Sequence, residues 1–283
     1  MCNSITAMKK FTTAFLLFIL GLGFQTANAQ YGEPEIQSIE DPINLFDEGY
    51  KTGLGFSFNL NDFGFGIGTQ FRKGLGPYTE GIFNFKIAGL RDPSEQTYID
   101  YFFGGRTIPS KYKRITTFPI TVGLKRRLFA RQISDNFRVH TSMSIGPTLA
   151  LATPYFNDLT NNGVRENNPN VYGIYEPVLD VFQGLKEAET QWGWSGDLVL
   201  GIDFGDNFAK LQTFQFGYSF YYFNNGIQIL EPFQAQRNPD GTPIFLETPA
   251  GSGLFELQTE PYNDATNYFG SAQVTFIFGW MWK

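Results

Sequence analysis

Eight stretches of this chain alternate strictly between oily and small or polar residues, and a strand is the element with a side-chain period of two. In 51–60, Thr52, Leu54, Phe56, Phe58 and Leu60 share one face, and Lys51, Gly53, Gly55, Ser57 and Asn59 the other. After the turn at Asn61-Asp62, Phe63, Phe65, Ile67, Thr69 and Phe71 oppose Gly64, Gly66, Gly68, Gln70 and Arg72. The pattern returns in 78–88, 116–128, 137–151, 192–204, 212–223 and 270–282. Links 73–77, 129–136 and 205–211 are short, whereas 89–115, 152–191 and 224–269 are long. Short turns at one end and long loops at the other are the signature of a bacterial membrane barrel with its N-terminus on the inner side.

A water-soluble sandwich also alternates, but it turns its polar face outward. Here the oily face carries Phe, Tyr and Trp almost without interruption (31, 14 and 4 in the chain), while charged residues are only 17%. Eight such faces would make one outsized core. Turned outward to lipid they make a wall, and the Gly-rich opposite faces fill the narrow interior of an eight-stranded barrel. The expected fold is an all-β, closed, antiparallel transmembrane barrel of eight strands with long extracellular loops. Ten strands, recruiting 171–181 or a 226–247 hairpin, is the alternative. Trp192, Trp194, Tyr222, Trp280 and Trp282 fall near strand ends and are expected at the membrane interfaces.

The N-terminus carries an export signal. Met8-Lys9-Lys10 precedes an apolar run from Phe11 to Phe24, and Ala27-Asn28-Ala29 places small residues before Gln30. Residues 1–29 read as a signal peptide cleaved before Gln30, 30–49 as a loose periplasmic lead-in, and 50–283 as the barrel. The run is shorter than the ~20 apolar residues of a membrane-spanning helix. Cys2 lies ahead of that run, so the mature chain has no disulfide, lipid anchor or thiolate metal site. Cleavage removes two lysines and no acids, leaving 19 − 27 = −8, which argues against nucleic acid as a partner.

The chain resembles the small, porin-like outer-membrane barrel families of Bacteroidetes-type bacteria. The residues that carry the resemblance are Ala27-Asn28-Ala29-Gln30, the run Phe118-Pro119-Ile120-Thr121-Val122-Gly123-Leu124-Lys125, Gly146-Pro147-Thr148-Leu149, and the apolar last strand. Lys283 follows Trp282 where such chains commonly end on an aromatic residue. The resemblance implies an outer-membrane location, with membrane lipid, lipopolysaccharide and the barrel-insertion machinery as partners.

His140 and Ser142 share one strand face, a spacing at which an imidazole can activate a hydroxyl. The motif is similar to the His-x-Ser-Asn strand of outer-membrane phospholipase A and lipid A deacylase, but Met143 stands in place of the Asn. The alternation also turns both residues to the lumen, so a histidine hydrogen-bonded inside the barrel is the expectation. Lys51, Arg72, Glu80, Lys86, Lys125, Arg138, His140, Asp197 and Asp203 all fall on lumen faces. They form either a self-satisfied plug, which is favoured, or the lining of a narrow pore.

No cofactor or metal is expected. Asp158-Leu159-Thr160-Asn161-Asn162-Gly163 lacks the alternating acids and closing Glu of a calcium loop and reads as a turn. Arg106, Lys111, Lys113 and Arg114 are a basic stretch suited either to lipopolysaccharide phosphates or to the acidic loops beside it. Segments 226–231 and 243–247 are apolar enough to pair as a hairpin above the membrane. The leading function is therefore a non-enzymatic surface barrel acting in envelope structure or in binding through its loops. A narrow channel and a lipid hydrolase follow.

Overall fold

A computed structural model describes residues 42–99, 106–166, 168–205, 207–247 and 255–283. The expected signal peptide, its expected cleavage site and residues 30–41 lie outside these. Eight strands close into one antiparallel ring: β1 (Thr52–Asn61), β2 (Gly64–Gly76), β3 (Thr79–Leu90), β4 (Lys113–Arg127), β5 (Phe137–Pro154), β6 (Glu189–Phe204), β7 (Lys210–Ile227) and β8 (Thr266–Trp282). Each strand pairs with its neighbour in sequence. The ring shuts where β1 meets β8, from Thr52 opposite Trp282 to Asn61 opposite Gln273.

The barrel is inverted relative to a soluble protein. Phe65, Val122, Met143, Leu198, Leu200 and Phe216 are each more than half exposed, while Arg72, Lys125, His140, Thr121 and Asn84 are buried. An outward apolar band around a polar interior is the arrangement of a transmembrane barrel. Tyr268 and Trp280, both outward on β8, are 280 − 268 = 12 residues apart. At ~3.3 Å per residue and a tilt of about 40° they stand roughly 30 Å apart along the barrel axis, a bilayer's hydrocarbon thickness.

Several strands run longer than their alternation suggested. β2 continues to Gly76, so the turn beyond it is only Pro77–Tyr78, and β7 and β8 rise beyond the aromatic level to Ile227 and Thr266. The ring has eight members, not ten. Residues 171–181 instead contain the end of a short helix, α1 (Pro169–Tyr172), and the first residue of a second, α2 (Val181–Gly184). The expected 226–231/243–247 hairpin does not form. Phe233–Ala235 pairs with Thr259–Pro261, and Phe245–Glu247 with Phe255–Leu257.

Two prolines interrupt the ladder. Pro119 in β4 and Pro147 in β5 lack an N–H, and the pairing of these strands skips Ile120 and Thr121. Gly146 offsets the loss by letting the backbones close up, since a Cβ there would lie 2.1 Å from the Ile120 carbonyl oxygen.

Leu200 lies opposite Phe216, and Phe216 opposite Val274, midway between Tyr268 and Trp280. An arginine at this level faces hydrocarbon. Leu200→Arg should destabilise the barrel by about 2–4 kcal/mol in urea titrations in lipid vesicles.

Candidate functional site

Inside the wall the lumen is layered. At the short-turn end, Leu45, Phe208, Leu211 and Met281 form an apolar cluster, joined by Ile43 and Tyr50. Residues 42–50 are therefore a docked lid and not the loose lead-in their polarity suggested. Leu45 is only 2% exposed, and the Ile43 carbonyl accepts from Arg127 Nη1 at 2.9 Å. The apolar pair Ile43 and Leu45 was the signal that its flanking prolines and acids obscured.

Next comes a layer of charge. Arg72 Nη1 lies 3.3 Å from Asp203 Oδ1, and Lys125 Nζ is 3.0 Å from Glu80 while also donating to Asp203 Oδ2. Arg72 further donates to Gln70 Oε1 at 2.6 Å and Thr213 Oγ1 at 3.0 Å. Two cations thus face two carboxylates from β2, β3, β4 and β6. Arg138 is buried close by but points to the mouth, donating to the Asp135 and Gly205 carbonyls and stacking over Phe208 at 4.7 Å.

Above this layer, Lys86 Nζ reaches across the lumen to Asp197 at 2.8 Å, and Gln273 Nε2 donates to the same carboxylate at 2.9 Å. The space between Gln70, Asn84, Lys86, Asp197 and Gln273 measures about 20 Å³, room for about one water. The long-loop end is closed by Phe63, Leu90, Ile115, Tyr221, Phe223, Ile229 and Phe269, with Phe223 and Phe269 edge to face at 6.2 Å. Phe63, expected on the lipid face beside Phe65, instead folds from its turn into this plug.

Of the sequence-selected lumen residues, Lys51 is misplaced. It precedes β1 and is exposed, so the alternation was extended one residue too far. His140 is completely buried, with Nε2 3.2 Å from Gln215 Nε2 and Nδ1 3.5 Å from Asp203 Oδ2. Gly201 makes room for the ring, since a Cβ there would sit 2.6 Å from Nε2. No hydrogen bond joins His140 to Ser142, so the two do not form a nucleophile–base pair. Trp192, Trp194 and Tyr222 project outward at the long-loop end, and Trp280 and Trp282 at the other.

The long loops form a second constellation, built on buried carboxylates that hold backbone amides. Glu176, fully buried, accepts from Leu159 N at 2.7 Å and Glu166 N at 2.9 Å. Asp158 accepts from Asn162 N and Gly163 N, so its oxygens serve the turn itself. Glu231 links loop 228–265 to loop 155–188 through Arg165 N at 3.2 Å. Burial pushes its carboxyl up to about 7, against the opposing pull of Arg165. Three residues of the basic stretch are likewise engaged, and the Arg106 side chain lies outside those described. Lys111 pairs with Glu95, Lys113 Nζ lies 2.7 Å from Glu189, and Arg114 stacks over Tyr155 at 4.5 Å. Of the two readings of the basic stretch, pairing with neighbouring acidic loop residues is the one its contacts show, while the buried Glu176 and Glu231 were not visible from composition.

No family model matches the chain, and no curated protein matches it in sequence. Among solved structures, it is similar to the attachment invasion locus protein Ail of Yersinia pestis, crystallised with the heparin analogue sucrose octasulfate. That likeness has 9% identity and a TM-score of 0.30, over 82% of this chain and 95% of that one. Neither fold nor comparison singles out the narrower Bacteroidetes-type families.

Two predictions follow from these contacts. Asp203→Ala leaves Arg72 and Lys125 sharing Glu80 alone and should cost about 3–5 kcal/mol of stability in vesicle unfolding. Glu231 binds its proton more tightly folded than unfolded, so between pH 4.5 and 7 the loops lose stability as pH rises. The loss is on the order of 2 kcal/mol. Hydrogen exchange of loop amides should be slower at pH 5.5 than at pH 8 relative to intrinsic rates, and Glu231→Gln should flatten the difference.

Proposed function

We propose that the protein is an outer-membrane barrel whose wall is a closed scaffold and whose function is binding through its outer loops. The observation that carries this reading is the filled lumen. Two apolar plugs bracket ion pairs that span the interior, and the space left between the lumen side chains is about 20 Å³. The loops, by contrast, are organised by buried side chains of their own, as a binding surface requires and a mere connection does not.

An outer membrane is the setting in which closed barrels with short inner turns occur. The amino-terminal pattern supports export with cleavage before Gln30, an inner lead-in and a barrel from residue 50 onward. Lipid contacts the outward band, with the five outward aromatics at its two edges, and lipopolysaccharide is the expected neighbour of the loops. The terminal strand is what the insertion machinery would engage. The buried, uncoupled His140 and Ser142 favour a binding role over lipid hydrolysis.

Planar-bilayer recordings of the refolded protein test the scaffold reading, with a heat-modifiability gel confirming folding. A folded barrel should give no steady current steps. Steady steps whose ion preference reverses in Lys125→Glu would establish the channel instead.

A further inference from the structure

A cavity of about 500 Å³ opens between loops 155–188 and 228–265, and its walls combine aromatic rings with fixed amide and carboxyl groups. We infer that this cavity is a carbohydrate site for uncharged pyranose units. The inference deepens the loop-binding reading and rests on it.

The apolar part has three rings. Tyr172 closes α1, where Asn168 caps the first turn and Gly173 ends it in the left-handed region at φ 79°. Phe245 meets Tyr172 edge to face, with centroids 6.4 Å apart, and both pack on a small core of Val164, Ala235 and Leu257. Phe255, next to that core on the paired strand, is 67% exposed. A solvent-facing Phe held on a hairpin beside a cavity offers a flat surface to the apolar C–H face of a sugar ring.

The polar part is preorganised. Asn162 is held at both ends of its amide. Its Oδ1 accepts from Val164 N at 2.9 Å, and its Nδ2 donates to Glu166 Oε1 at 2.6 Å. Asn161 beside it takes the left-handed backbone at φ 54°, a conformation that Asn tolerates better than most residues. Glu176 and Asp158 anchor the turn from beneath. Amides and carboxylates set rigidly beside a ring suit the dense, directional hydroxyls of a sugar, because little ordering remains to oppose binding.

Charge narrows the class. Glu166 and Glu256 line the cavity, and no Lys or Arg does so among the described residues. Sulfated or phosphorylated glycans would meet carboxylates without a compensating cation. Hydroxyl-rich, uncharged units meet acceptors and donors that match them.

The test uses the full barrel refolded in lauryldimethylamine oxide, a detergent without a sugar headgroup. Saturation-transfer NMR and calorimetry read binding of maltotriose and chitotriose, with a heparin tetrasaccharide and choline as comparators. One of the neutral trisaccharides should bind. Phe255→Ala should weaken it about tenfold, which is about 1.4 kcal/mol, and Phe255→Tyr should restore it. Phe255 is exposed, so its truncation leaves the fold intact, and the heat-modifiability gel checks this. Asn161→Ala should weaken binding independently. If neither trisaccharide binds, or binding is indifferent to both Phe255→Ala and Asn161→Ala, the site is overturned. Binding of heparin or choline alone, lost in the same variants, would overturn the uncharged-sugar class while leaving loop binding in place.

Discussion

Every backbone N–H and C=O in a barrel wall must find a partner within the wall, because hydrocarbon offers none. The seam between β1 and β8 meets that demand for the whole ring, joining the first strand to the last along ten consecutive residue pairs. Once the ring is shut with aromatic side chains outward, the remaining side chains have nowhere to go but a lumen too narrow for bulk water. The rest of the interior follows from that confinement. Polar residues must pair with one another across it, as Arg72 does with Asp203 and Lys86 with Asp197.

Such pairs are weak grounds for stability, since desolvation offsets most of their attraction. Their effect is better seen as specification. Arg72, Lys125 and Lys86 each reach at least one acid on a non-adjacent strand, so a strand slipped by one residue would swing a charge into lipid. The Pro119–Pro147 interruption shows how much the ladder tolerates. Two missing donors are accommodated where Gly146 permits close approach, and strand pairing continues on either side.

The wall was legible in the sequence because period two is a local property. Phe56 and Phe58, or Met143 and Ile145, report their face without reference to any other strand. Turn ends were less legible. Phe63 obeys the alternation yet folds inward, because a turn residue answers to the hole it can fill and not to the pleat. Lys51 erred in the same way, just ahead of β1. Partners across the lumen were not legible either, since Gln215 faces His140 only once the ring has closed. The loops were least legible. Their acids were readable only as partners for the basic stretch, but Glu176 and Glu231 are buried and hold backbone amides, and nothing in spacing or composition separates a solvated Glu from one that holds an amide.

The docked lid ties the two ends of the chain together. Leu45 is among the first of the described residues in the chain, yet it rests on Leu211 of β7 and Met281 of β8, which come far later in sequence. Without the final strand in place, its apolar side chains lack Met281 to pack against. The short-turn mouth is sealed only by a completed barrel, so an unseated lid marks an unfinished one.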